Sequence, residues 1–385
     1  MIKFIKNTLF SLIQKKDSFL VVEINKEGAR LSKISVVLGN ASIIVEKSKK
    51  VEVNDSLLKE FKKLDDRKSR IILVLDSNIG FTVYSKIGVM LRSSIDQEDN
   101  FENISTEALH KLFENTRGVV AQKLNIANSD VTLLDARILS VESASQVISN
   151  SLEMYCTITC IAKNWVQEIF KILPVDRVVM CVEGVAAFGR VVSHILKYKN
   201  CLFSYIASRE TTVVAMNGFS IEYLDYFLCG AETVLNELVL QQKFPNHLVQ
   251  YAINSYHNKI GSATFLDNFG KSLISEYKII ENGLGLIIGK SNLKFLYLAS
   301  GEIVPDFVVK ARIKNKSGHF IKILTISHSF ISTKLGFEVK YKVEESGGNF
   351  QVALASLFDF YLSPQNELFS KISKRKVKWL NQYVG

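Results

Sequence analysis

Four prolines and 20 glycines in 385 residues are too few for a collagenous or low-complexity chain. Charged residues make up 22% and apolar residues 47%, which excludes a disordered one. Five cysteines, an odd and scattered set (Cys156, Cys160, Cys181, Cys201, Cys229), cannot build a dense disulfide framework. No apolar run reaches the roughly 18 residues that a spanning helix needs, which excludes a polytopic membrane protein. The six histidines (His110, His194, His247, His257, His319, His328) show no His-Glu-x-x-His spacing. Cys156 and Cys160 fall on an alternating stretch, where i and i+4 share a face. No two further ligands accompany them in sequence, so core packing is expected of them rather than metal binding. The segment GLGLIIGKS (283–291) places Gly-Lys-Ser after glycines, but with three or five residues between the glycines instead of the four of a phosphate loop. An ordinary strand is expected there.

Of the net charge of +10, eight sit at the two ends. Residues 1–16 hold Lys3, Lys6, Lys15 and Lys16 and no acid, and residues 366–385 hold five cations against Glu367, so each end carries +4. The body between is close to neutral. A nucleic-acid-binding domain carries its basic stripe on the folded body, so no nucleic-acid partner is expected. Ends that are basic and apolar together suit an anionic membrane surface. At 100° per residue, Leu368, Phe369, Ile372, Trp379, Leu380 and Tyr383 share one arc, with Lys371, Lys374, Arg375 and Lys378 opposite. Near an anionic leaflet each cation contributes about 1 kcal/mol. Buried Phe369, Trp379 and Leu380 must add the rest. The alternative is a helix packed on its own domain. Ile2, Ile5, Leu9, Leu12 and Ile13 also cluster, as a second surface anchor or a helix docked by a partner.

Between the ends, FLVVEINKEGARLSKISVV (19–37) reads as two strands with a turn at Gly28, and RIILVLDSN (70–78) as a buried strand. FTVYSKIGVML (81–91) alternates as another strand. Residues 92–104 are polar and acidic and read as a domain boundary. A helix is expected over 104–124, with Ser105 and Glu107 near its start. Two strands, a helix, and a strand–helix unit at 175–196 follow. The second half opens with a strand set turning at Asn217-Gly218, then helices, then a strand, turn and helix at 293–313. Strand-rich blocks followed by helices, twice over, predict an α/β (α+β) protein of two related halves.

The order of these blocks resembles the FtsA family of bacterial cell-division proteins, in the actin-like ATPase superfamily, and the related pilus-assembly PilM proteins. VVEINKEGARL (21–31) sits where the family has its first phosphate loop, and FSYIASRETTVVAMNG (203–218) where it has its second. LVLDSNIGFTVYS resembles the strand pair that follows the first loop, and KLNIANSDVTLLDARILSVES a strand of the inserted subdomain called 1C or SHS2. LYLASGEIVPDF (296–307) sits at the adenosine motif. The basic helix after LASLFDFYL sits where the family carries its membrane-targeting helix. The resemblance implies a two-lobed actin-like (ribonuclease H-like) fold with an inserted SHS2/1C subdomain. It implies an N-terminal helix over 1–17, subdomain 1A over 18–91 plus 175–199, the insert over 92–174, subdomain 2A over 200–225 plus 290–362, subdomain 2B over 226–289, and the C-terminal helix over 363–385.

The resemblance also maps a nucleotide cleft onto Glu23, Asn25, Tyr205, Ser208, Arg209, Thr211, Gln250, Ser300 and Gly301. Several depart from the family pattern. Glu23 stands for an Asp and Asn25 for a Gly in the first loop; Tyr205 stands for an Asp and Ala207 for a Gly in the second. A phenol is a poor match for Mg²⁺, which wants carboxylate or water oxygens. Gln250 and Ile253 replace a Glu and a Lys on the nucleoside helix, and Ser300 replaces a Gly, while Gly301 and Pro305 remain. Losses at separate loops of one cleft imply a pseudo-ATPase: no catalytic residues, no metal, and either no cofactor or ATP held without Mg²⁺. The implied role is a scaffold on the cytoplasmic, inner face of the membrane. It would hold the FtsZ filament on 226–289, associate with itself, and bind anionic lipid through Leu368, Phe369, Ile372, Lys374, Arg375, Lys378, Trp379 and Leu380. The alternatives are a PilM-like adaptor of a type IV pilus or secretion system, and an ATP-dependent kinase or chaperone needing Asp76 or Asp135 as base.

Overall fold

The computed structural model describes residues 16–363 except 27, 53–54, 66–67, 91–97, 144–150, 244, 301–307, 309–310 and 344–349. Residues 1–15 of the expected N-terminal helix and 364–385 of the C-terminal one, with all eight lipid-facing residues, lie outside the described residues, as do Gly301 and Pro305. Lys16 and Asp17 belong to a strand that pairs in the first sheet and so end that expected N-terminal helix early.

The strands are β1 (Lys16–Ile24), β2 (Ala29–Val37), β3 (Ser42–Val51), β4 (Arg70–Leu75), β5 (Gly80–Met90), β6 (Val131–Ser143), β7 (Ser151–Ala162), β8 (Val178–Glu183), β9 (Cys201–Ile206), β10 (Thr211–Asn217), β11 (Ser220–Phe227), β12 (Phe295–Ser300), β13 (Lys322–Thr325) and β14 (Glu338–Tyr341). The α-helices are α1 (Asp55–Leu64), α2 (Glu98–Leu124), α3 (Lys163–Phe170), α4 (Gly184–Ile195), α5 (Ala231–Gln242), α6 (Asn246–His257), α7 (Ala263–Ile288), α8 (His328–Leu335) and α9 (Gln351–Leu362).

One sheet runs β14-β3-β2-β1-β4-β8. Within it β1, β2 and β3 form an antiparallel meander, and β4 and β8 extend it in parallel from β1. The second sheet begins β13-β12-β9-β10-β11. There β9, β10 and β11 are the meander, and β12 and β13 the parallel extension. The same mixed order, 3-2-1-4-5 in each half, occurs twice: two ribonuclease H-like lobes, as in actin. A central strand covered on both faces needs no polar alternation. In β1, Phe19 and Val21 enter the core between the lobes while Leu20 and Val22 enter the outer core under α1.

Helix α4 is buried from Gly184 through Ser193 and lies between the lobes against α9. The contact is close: a Cβ on Gly184 would come within 2.4 Å of Val352 on α9.

The second sheet continues from β11 through β5 and β7 to β6. These three strands and α2 form a strand–helix–strand–strand insert. Its own core packs Leu109, Phe113 and Val120 of α2 over Leu133, Cys156 and Ile158. Cys156 and Cys160 both face this core, as packing groups. Burial raises both thiols to about 12.

Four further sequence expectations shift. The insert takes its first strand from 80–90, which pairs with β7 along its length, so it begins before residue 92. Helix α2 starts at Glu98, and Ser105 is buried inside it rather than near its start. The 283–288 part of the glycine segment is the last turns of α7, not a strand, because its apolar positions continue the helical stripe of Leu273, Tyr277 and Ile280. Strand β14 pairs with β3, and α9 packs on β1 and β4, so the end of the second half returns to the first lobe.

Candidate functional site

The lobes enclose a cleft of about 1080 Å³. Its floor and walls come from strand ends. The turn after β1 is closed by Asn25, whose N–H donates to the Gly28 carbonyl at 3.0 Å and whose Oδ1 accepts the Gly28 N–H at 2.8 Å. Glu23 lies opposite Arg30 across β1 and β2. Asp76 follows β4; its N–H donates to the Ile24 carbonyl at 2.9 Å and its Oδ1 accepts the Ser77 N–H at 2.8 Å.

Glu183 ends β8 and caps α4, its carboxylate accepting the N–H groups of Val185 at 3.0 Å and Ala186 at 2.8 Å. Free N–H groups at a helix start are a ready seat for an anion. Here the chain's own carboxylate takes it, and Ser77 donates its hydroxyl to the same group.

The loop between β9 and β10 forms the opposite wall. The N–H of Ala207 donates to the Glu210 carbonyl at 2.9 Å, closing a tight turn. Carbonyls of Ala207 and Ser208 then accept the N–H groups of Ala231 and Glu232 at 2.9 and 2.7 Å, which caps α5 with loop backbone. This docking needs Gly230, where a Cβ would fall 2.3 Å from the Ala207 carbonyl oxygen.

Glu210 is 4% exposed and lines the cavity. Burial, with Asp76 adding to it, raises its carboxyl to about 7 against the opposing pull of Lys123. Lys123 reaches in from the end of α2, its ammonium 4.1 Å from the Tyr223 ring centre and 4.8 Å from that of Phe81. Burial lowers its pKa, and Glu183, Glu210 and Asp76 partly restore it.

Of the residues mapped from the sequence, Glu23, Asn25, Tyr205, Ser208 and Arg209 do line the cavity. Thr211 is fully buried behind the loop, with its hydroxyl on the Cys229 carbonyl at 2.7 Å. Ser300 is turned inward as well: its hydroxyl donates to the Ile206 carbonyl at 3.2 Å and its carbonyl accepts Gln351 of α9 at 2.7 Å. Gln250 lies on α6, whose Ile253 faces the cavity. Asp135 stands apart from it and accepts the Cys181 N–H at 2.9 Å, a structural role.

Sequence reading missed Glu210, Glu183 and Lys123. A charged Arg-Glu pair between two apolar strands marks the first. A Glu directly before an apolar helix marks the second, although Glu is not a preferred cap. Nothing local marks Lys123, which arrives from a separate module.

No protein-family model and no curated protein matches this sequence. Among solved structures, the chain is similar to the PilM-PilN type IV pilus biogenesis complex at 13% identity, covering 90% of this chain and 99% of that one with a TM-score of 0.48. It is similar to the ethanolamine utilization protein EutJ from Carboxydothermus hydrogenoformans at 10% identity, covering 91% and 95% with a TM-score of 0.37. MamK bound to AMPPNP is similar at 9% identity, covering 90% and 99% with a TM-score of 0.36. At such scores likeness adds no weight, and the actin-like fold rests on the strand order of the two sheets.

Proposed function

We propose that this chain is a non-hydrolytic, actin-like scaffold of the FtsA kind, a pseudo-ATPase whose lobes present surfaces rather than turn over nucleotide. The observation that carries the reading is Glu210, a buried carboxylate in the cleft at the loop where the family resemblance places a phosphate. A carboxylate there repels an anion, and Glu183 already fills the helix start beside it. Tyr205 adds a phenol where a metal site would need an acid. Titration calorimetry with Mg·ATP tests this: no saturable binding is expected below about millimolar, a free energy near 4 kcal/mol. Submicromolar affinity would overturn it. The double variant Tyr205→Asp with Glu210→Gln should raise Mg·ATP affinity at least tenfold, because it removes one repelling charge and supplies a metal-facing one.

The finer reading, a tether between the FtsZ filament and the membrane, draws on the sequence of 366–385. Among the described residues no helix is long and apolar enough to cross a membrane. Co-sedimentation with anionic liposomes should fall sharply when 366–385 is deleted. Survival of binding there, with loss on deleting 1–16, would move the anchor to the other end. A PilM-like adaptor shares the fold and differs in partner, so binding of an FtsZ tail peptide against a pilus-protein tail peptide decides between them.

A further inference from the structure

The cleft carries acceptors that the scaffold reading leaves unused. Glu210 is 4% exposed and its Oε1 has no hydrogen-bond partner. Asn78 lines the same cavity, and its buried Oδ1 is also without one. A buried acceptor left unmade is costly, and what satisfies it is a donor.

The cavity is also lined by Lys26, Arg30, Lys50 and Arg209, and Arg30 is half-buried opposite Glu23 across β1 and β2. Lys26, Lys50 and Arg209 are exposed, and Arg209 faces Glu232 at 3.4 Å. The Lys123 ammonium rests on the faces of Tyr223 and Phe81. Asp76 and Glu183 are near enough to raise the Glu210 carboxyl, and Lys123 and Lys26 near enough to oppose them. Tyr205, Tyr226 and Tyr277 supply aromatic surface on the same walls. Carboxylates with aromatic faces are the chemistry that holds an organic cation. Among the described residues, no three His, Cys, Asp or Glu side chains are placed to hold a metal ion. The cavity, about 1080 Å³, is also far larger than one ion and suits an extended small ligand.

We propose that the cleft receives an organic cation, an ammonium or guanidinium on an extended aliphatic chain, with Glu210 as its counter-charge. Such a group occurs on a free polyamine and on a Lys or Arg side chain of a partner peptide. The proposal rests on the reading that Mg·ATP does not fill the cleft.

Titration calorimetry on the full chain separates the sources with two probes, spermidine and an acetylated, amidated Gly-Lys-Arg-Lys-Gly peptide. Mg·ATP is the third arm. Saturable one-to-one binding of a cation is expected, weakened at least tenfold in Glu210→Gln. Circular dichroism checks that this variant is folded. Tyr226→Leu is the second variant and should weaken the same cation several-fold through loss of a ring face, so a misfolded Glu210→Gln does not end the test. Spermidine binding assigns a free polyamine; binding of the peptide alone assigns a partner side chain. The proposal is overturned if neither probe binds at millimolar concentration, or if both bind Glu210→Gln and Tyr226→Leu as tightly as the parent. Silence from Mg·ATP in that case leaves the scaffold reading standing. Submicromolar Mg·ATP binding removes both.

Discussion

At the scale of single residues, Glu210 ties stability to pH. Its carboxyl sits at about 7 in the folded chain, first through burial and then through Asp76. An unfolded glutamate titrates near 4.3. The folded value is the higher one, so the native state holds the proton more tightly. That stabilisation is complete below about 4 and is lost as pH rises to about 7. Glu210→Gln should therefore melt above the parent at pH 8, with the gap shrinking towards pH 5. A gap independent of pH would show that the carboxyl does not titrate as described. This residue was overlooked in the sequence because Thr211 and Ser208 look more like phosphate ligands. Strand pairing turns Thr211 inward and leaves its neighbour facing the cleft.

Elements show the same split between local pattern and packing. Helix α7 is not legible in the sequence, and its end reads as a strand, because a short apolar run such as Leu284 to Ile288 suits a strand or a buried helix equally. Two glycines in that end make a sharp comparison. A Cβ at Gly283 would meet the Phe227 ring at 2.7 Å, whereas one at Gly285 meets nothing within 4 Å. Gly285→Ala should stabilise the chain by up to about 1 kcal/mol, through helix propensity alone. Gly283→Ala should destabilise it, since overpacking costs about 1–3 kcal/mol. Urea denaturation of the two variants checks both signs. In the insert, the alternation of Cys156, Ile158 and Cys160 was readable, and its outcome is plain: thiols raised to about 12 by burial should resist alkylation in the native state.

For the whole molecule, Asp359 joins α9 and α4, which pack together between the lobes, to the insert. It is fully buried and accepts the Tyr84 hydroxyl at 2.7 Å, Arg137 of the insert at 3.2 Å, and Arg190 of α4. Burial would raise its carboxyl, but Arg190 and Arg137 outweigh that and hold it below the ordinary aspartate range. A folded value below the unfolded one gives stability that is present above about 3.9 and lost as pH falls past it. Asp359→Ala leaves Arg190 buried without its counter-charge and Arg137 with only Asp135, 3.8 Å away, and should cost about 3–5 kcal/mol in chemical denaturation. The variant should also lose less stability than the parent on acidification from pH 5 to pH 2. Arg137 further donates to Ser363 at 3.0 Å, so the network reaches the residue just before the basic C-terminal segment.

Most strands, though not β3, β13 or β14, the buried helix at 184–195 and the repetition of one block in two halves were present in the pattern of apolar residues, because secondary structure follows periods of 2 and 3.6 along the chain. The insert's true start, the return of β14 and α9 to the first lobe, and the meeting of Glu210, Asp76, Glu183 and Lys123 were not. Those depend on pairings between segments tens to hundreds of residues apart, and no local period encodes which strand end will face which.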